Sequence, residues 1–98
     1  EHAGLEMADC VLVKAPRVKA SPASLECKVT QVVRLDALGG VQTDRYLVLG
    51  QVIGVHIRHE FLEDGRFNIQ TAQPILRAGY KGDYFELGKP FEMIRPDA

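Results

Sequence analysis

The sequence predicts a mainly β fold built around one long antiparallel hairpin, and three features carry this prediction. Apolar and polar residues alternate from Leu25 to Asp36, a longer apolar segment runs from Arg45 to Arg58, and the glycine-containing stretch ALGGVQT at 37–43 joins them. A period of two places successive side chains on opposite faces of a strand, whereas a helix repeats its apolar positions every three to four residues. We therefore expect a small, curved antiparallel sheet.

Length and charge restrict the possible function classes. A chain of 98 residues can bury one small core, so we expect a single domain over 1–98, with a lead-in segment at 1–20 and the strands and loop at 21–98. Twelve Lys and Arg balance thirteen Asp and Glu, and this balance argues against a nucleic-acid partner. Charged or polar residues interrupt every apolar stretch, so no membrane partner is expected.

The two cysteines, Cys10 and Cys27, are too few for a cystine scaffold of this size. We expect two reduced structural thiols in a cytoplasmic protein, with Cys27 buried inside a strand. The spacing of His56, His59 and Glu60 reads HxxHE and matches neither helical zinc motif, so no metal is predicted.

The lead-in contains one short apolar segment, Cys10 to Val13, which could form an edge strand or a packed loop. Pro16 and Pro22 follow it six residues apart. Because proline lacks an amide donor and disfavours helix in the preceding residue, this stretch is predicted to be an extended connection.

The two long segments, 25–36 and 45–58, differ in how apolar their two faces are. In the first, five of the six positions on one face are apolar and one of six on the other, so we expect a half-buried strand whose polar face includes Glu26. In the second, both faces are largely apolar, which predicts either a central strand covered on both sides or a strand that curls inside a barrel and also meets a partner. Gly50 and Gly54 share one of these faces and indicate a bulge, close approach or sharp curvature.

The remainder of the chain is rich in turns. Asp64 and Gly65 form a turn signal, and 69–76 offers at most a short helical turn near Pro74. The segment RAGYKGDYFELGKP at 77–90 is predicted to be an ordered loop, and 91–95 alternates as a closing strand before Pro96.

No catalytic motif stands out, and the catalytic residues remain unknown. His56 ends an apolar strand, where it could bind a carbonyl or phosphate or could be a hydrogen-bonded structural residue. Arg77, Tyr80 and Tyr84 form a second cluster, which could bind an anion and stack on a ring or could pack a loop onto the sheet.

An ordered series of motifs resembles the C-terminal half of the flavin reductase-like, FMN-binding split-barrel proteins. The series runs from Ser21 to Pro96 as SPASLECKV, DRYLVLGQVIGVHIRHEFLEDGRF, PILRAGYKGDYFEL and FEMIRP. The matching residues are Ser21, Pro22, Leu25, Glu26, Cys27, Gly50, Val52, Val55, His56, Asp64, Gly65, Arg66, Pro74, Arg77, Gly79, Tyr84, Phe91, Arg95 and Pro96. Where the family has RLGG, this chain has RAGY at 77–80.

The resemblance implies a six-stranded antiparallel Greek-key split β-barrel, of which this chain would form the C-terminal portion with short helical turns. It also implies a homodimer with FMN at its interface, and reduction of flavin by hydride transfer from NAD(P)H to the flavin N5. His56, Arg77 and Tyr84 are the cofactor-binding residues carried over by motif position. The alternative is a non-catalytic FMN-binding or dimerisation module.

Members of that family are about twice as long, so the resemblance leads us to expect a chain that begins in the middle of a domain. Three long strands cannot close a barrel, and an isolated pair leaves unpaired edges and apolar faces. We therefore expect the chain to be covered by the missing N-terminal half of the same domain or by a second copy, and the isolated chain to bind FMN poorly.

Overall fold

The computed structural model describes residues 3–97 and divides the chain into two compact units, Glu1–Ile57 and Arg58–Ala98. Most of the regular structure is β, as predicted, and the strands of the described residues pair as four separate antiparallel pairs with no closed barrel among them. No helix within 3–97 is long and apolar enough to cross a membrane.

The first unit contains four strands in two pairs. Strand β1 (Met7–Ala8) pairs with β2 (Arg17–Val18), and β3 (Ala23–Ala37) pairs with β4 (Val41–Ile57). The β3–β4 hairpin confirms the two predicted strands and their antiparallel pairing. The apolar segment of the lead-in adopts bends rather than an edge strand, so it is a loop, but Val11 is 79% and Leu12 is 54% exposed and the predicted packing of this loop is incomplete.

A single turn of 3-10 helix, Leu38–Gly40, joins β3 to β4. Gly39 and Gly40 have φ angles of 77° and 76°, in the left-handed region that an L side chain avoids. The sequence assigned this turn to the same pair of glycines, and the structure confirms it.

The hairpin is irregular at the positions where the glycines predicted irregularity. Its register shifts between Glu26 and Cys27, and again between Val29 and Gln31, as β-bulges require. At Gly54 a Cβ atom would lie 3.3 Å from Leu12 Cδ1 and 3.4 Å from Glu26 Cβ, so a lead-in side chain approaches the bare backbone closely. The predicted close approach is confirmed at this glycine.

The predicted burial of the hairpin is wrong for this chain. Leu25 is 60% exposed and Val29 is 64% exposed, Cys27 is exposed, and no apolar residue of 3–97 is buried. A two-stranded ribbon places nothing over its own faces, so alternation alone cannot remove an apolar side chain from water. The two cysteines are free thiols.

The second unit consists of short elements joined by turns. They are β5 (Leu62–Glu63), β6 (Arg66–Phe67), the helix α1 (Ile69–Ala72), β7 (Leu76–Arg77) and β8 (Tyr84–Phe85), preceded by a 3-10 turn at His59–Phe61. Strand β5 pairs with β6, and β7 pairs with β8.

Two of the predictions for this unit are confirmed. The β5–β6 turn holds Asp64 and Gly65 at positive φ, as the turn signal indicated. Helix α1 is the expected short helical turn, and it begins where the Asn68 side chain accepts a hydrogen bond from the Thr71 amide.

Two other predictions need correction. The stretch 77–90, expected to be loop throughout, begins at the end of β7 and contains β8, a small hairpin. The closing strand at 91–95 does not form, and Phe91 and Ile94 are 83% and 92% exposed. A strand requires a hydrogen-bonded neighbour, and within 3–97 this segment has none.

Candidate functional site

Glu26 is the one buried residue of the part of the chain that the structure describes, with 2% of its surface exposed. It lies on β3 opposite Gly54 of β4. The absence of a side chain at Gly54 lets the lead-in cross the sheet there, with Leu12 in contact. A carboxylate is rarely buried unless it is paired, so its partners define this site.

Three consecutive backbone amides of the lead-in donate hydrogen bonds to the Glu26 carboxylate. Oε1 accepts from Leu12 at 2.6 Å and from Val13 at 3.0 Å, and Oε2 accepts from Val11 at 3.0 Å. Hydrogen bonds from Val11, His56, Leu12 and Val13 lower the pKa of Glu26 from 4.5 to about 2, although desolvation opposes them. Glu26 therefore carries a negative charge at neutral pH.

His56 completes the environment of this carboxylate. Its Nε2 lies 2.5 Å from Glu26 Oε2, and 26% of its side chain remains exposed. The register pairs His56 with Ser24, two residues before Glu26, so the ring reaches the carboxylate diagonally across the hairpin. The strand-end histidine is thus part of a charged, hydrogen-bonded cluster that it shares with the lead-in.

Cys10 and Arg17 lie near the same cluster. Cys10 is half-buried, and burial first and the negative charge of Glu26 second raise the pKa of its thiol. The charge of Arg17 acts in the opposite direction on this thiol. Arg17 Nε is the one buried side-chain nitrogen or oxygen atom within 3–97 that has no hydrogen-bond partner.

The second candidate cluster is the β7–β8 hairpin of the other unit. Arg77 and Tyr84 are register partners, the Arg77 Nη1 donates to the Tyr84 hydroxyl at 3.1 Å, and the guanidinium carbon lies 5.9 Å from the centre of the ring. Both side chains are exposed, and Arg77 forms no ion pair with a carboxylate of residues 3–97. The hairpin closes where the Ala78 amide donates to the Asp83 carbonyl at 2.9 Å.

The structure thus brings together two of the three residues named by the sequence. Arg77 and Tyr84 share one hairpin, while His56 belongs to the Glu26 cluster of the first unit; their role in cofactor binding stays a prediction. Glu26 was named only among the family matches and on the polar face of the strand, and its burial and its role in this cluster were not predicted. The signal that could have found it is the glycine that faces it across the hairpin.

Within 3–97, no three His, Cys, Asp or Glu side chains gather closely enough to hold a metal ion.

No family model matches the chain. Among curated proteins, an uncharacterized protein of Halalkalibacterium halodurans is 30% identical over 97 residues, which cover 98% of this chain and 45% of that protein. An uncharacterized protein of Deinococcus radiodurans is 32% identical over 95 residues, which cover 94% of this chain and 39% of that protein. The chain therefore spans less than half the length of the curated relatives that it matches.

Two solved structures share its fold. Nitrilotriacetate monooxygenase component B from Bacillus cereus matches with a TM-score of 0.82 and 25% identity, over 94% of this chain and 45% of that one. The 2-nitrobenzoate 2-nitroreductase NbaA of Pseudomonas fluorescens matches with a TM-score of 0.76 and 21% identity, over 97% of this chain and 46% of that one. The chain thus has the fold of just under half of a monooxygenase component and of a nitroreductase.

Proposed function

We propose that this chain is part of a flavin reductase-like flavoprotein, in which NAD(P)H reduces FMN or another flavin by hydride transfer. The observation that carries the proposal is the fold likeness to two redox enzymes, a monooxygenase component and a nitroreductase, over more than nine-tenths of the chain. Fold by itself does not imply function, so the proposal also needs residues suited to the cofactor.

The β7–β8 hairpin offers such residues. The Arg77 guanidinium presents a planar group of N–H donors that suits a phosphate, and no carboxylate of 3–97 competes for it. Tyr84 holds the guanidinium from one side and offers an aromatic face for a ring. His56 is the third cofactor-binding residue of the proposal, held in place by Glu26.

The flavin would supply the hydride-accepting ring, and the chain would bind and orient it. Because the chain spans less than half of its relatives, further binding residues are expected outside these 98 residues. We propose that the missing part of the fold or a second copy of the chain covers the apolar faces of the β3–β4 hairpin.

Titration of FMN, followed by the fluorescence of the flavin, tests the proposal. Arg77→Ala should weaken FMN binding by about tenfold or more, the loss expected for one charge-assisted hydrogen bond, while Arg34→Ala, which removes an exposed arginine of β3, should leave it unchanged. The wild-type chain should bind FMN weakly, because it spans less than half of its relatives. An equal loss in the two variants, or no loss in Arg77→Ala, would contradict the proposal.

The alternative is a non-catalytic module that holds flavin or forms a dimer. The exposed apolar faces of the hairpin favour it, because surfaces of this kind mark interaction sites. An assay of NADH and NADPH oxidation with saturating FMN separates the two functions. Oxidation that depends on the protein supports the reductase, and FMN binding without oxidation supports the module.

A further inference from the structure

The Glu26 carboxylate has no unused acceptor position. Two lead-in amides fill Oε1, and the Val11 amide and the His56 ring fill Oε2. A carboxylate offers about four such positions, and all of them are engaged here. Its partners therefore constrain one another, and the least flexible of them are the three backbone amides, which can only donate.

These constraints determine which ring nitrogen of His56 carries the imidazole proton. An ionised carboxylate accepts and cannot donate, so the contact with Oε2 requires a hydrogen on His56 Nε2. A neutral imidazole carries one ring proton, and here it is committed to Glu26. In this neutral form the other nitrogen, Nδ1, carries a lone pair and can only accept a hydrogen bond.

We infer that Glu26 is the positioning residue for His56: it holds the ring as the Nε2–H tautomer and leaves Nδ1 as a hydrogen-bond acceptor for a ligand N–H group. This inference deepens the proposed function and rests on it for the identity of the ligand. A flavin ring carries one such donor, its imide N–H, and the ribityl chain carries hydroxyl donors, whereas the phosphate of FMN carries acceptors. His56 thus contacts the riboflavin part of FMN, with the imide as its N–H donor, and the phosphate is left to other residues.

The tautomer can be measured on the wild-type chain without any ligand. A two-dimensional ¹⁵N–¹H spectrum of the imidazole groups at pH 8 distinguishes a protonated Nε2 from a protonated Nδ1. We expect a single Nε2–H form for His56. A mixture of tautomers, or the Nδ1–H form, would overturn the inference.

Glu26→Gln provides a sharper test because it should invert the tautomer. The single amide oxygen of glutamine is expected to face the Leu12 and Val13 amides, which places its NH₂ group against His56. Nε2 must then accept, and the proton moves to Nδ1. Glu6→Gln is the matched control, since Glu6 pairs with Lys19 on the surface of the same unit, and it should leave the His56 signals unchanged. A purely structural role for Glu26 predicts no such inversion.

The ligand assignment is tested with FMN and with riboflavin, which lacks the phosphate. His56→Ala should weaken the binding of both by the same factor, about tenfold. A loss confined to FMN would show a phosphate contact and would overturn the assignment. The wild-type chain should bind both flavins weakly, because it spans less than half of its relatives. A His56→Ala variant that binds both flavins as well as wild type does would overturn the ligand assignment and leave the proposed function standing, and the spectrum decides the positioning role of Glu26 separately.

Discussion

Acidification should destabilise this chain through one identifiable group, the Glu26 carboxylate. Its pKa is about 2 in the folded chain against an ordinary value of 4.5, because three amides and the His56 ring donate to its charged form. A folded-state pKa below the unfolded one means that the stabilisation is complete above pH 4.5. It declines as the pH falls from 4.5 and is lost once the pH passes about 2.

Glu26→Gln removes this titration and keeps the shape of the side chain. Glutamine has one accepting oxygen in place of two, so one of the three lead-in amides loses its acceptor, and the variant should be less stable than wild type at pH 7. The difference in the free energy of unfolding between the two proteins should be constant above pH 4.5 and should shrink steadily between pH 4.5 and about 2.

Urea unfolding followed by far-ultraviolet circular dichroism, at a series of pH values from 7 to 2, measures this difference. Glu6→Gln controls for the loss of one exposed carboxylate and should run parallel to wild type across the Glu26 window. A carboxyl ¹³C titration of the folded wild type gives the Glu26 midpoint directly. A midpoint near 4.5, or a stability difference that does not change with pH, would show that the amides do not hold the charge as described.

Three further predictions concern the hairpin and its assembly. Gly39→Ala should lower the free energy of unfolding by about 1 kcal/mol, because an L side chain is disfavoured at a φ of 77°. Urea unfolding at pH 7 measures this loss, and an unchanged stability would contradict the prediction. Gly54→Val should cost about 1–3 kcal/mol and Gly54→Ala less, because a Cβ at this position already lies 3.3 Å from Leu12 Cδ1 and 3.4 Å from Glu26 Cβ. A Gly54→Val variant as stable as wild type would contradict the close approach. The chain should elute above its monomer mass of 10.9 kDa in size-exclusion chromatography, because a second copy is expected to cover the exposed apolar faces of the β3–β4 hairpin. Val48→Lys on this hairpin should shift the elution toward the monomer. A well-behaved monomeric wild type would contradict the proposal that a second copy covers these faces.

Local sequence rules predicted the parts of the fold that depend on neighbouring residues. Alternation predicted the two long strands, and paired glycines predicted their turn. The turn at Asp64 and Gly65 followed from the same chemistry, since these residues tolerate positive φ. The closing strand at 91–95 could not be predicted in this way, because a strand forms only where another strand lies beside it.

The candidate site shows the same division. Arg77 and Tyr84 were named as a cluster from their short separation, and a hairpin pairs them. The burial of Glu26 was not predicted, because it depends on a lead-in segment, thirteen to fifteen residues away in sequence, that crosses the sheet at Gly54. No periodic pattern within the strand contains that information.

The sequence by itself determined the β class of this protein, its long hairpin and the glycines on which its turns depend, since each follows from the conformational preferences of adjacent residues. Only the tertiary structure decided that Glu26, on the polar face of β3, is the one buried residue among residues 3–97. Three backbone amides and a histidine bind its carboxylate there. Burial and hydrogen bonding depend on which distant segments meet, and that is a property of the folded chain.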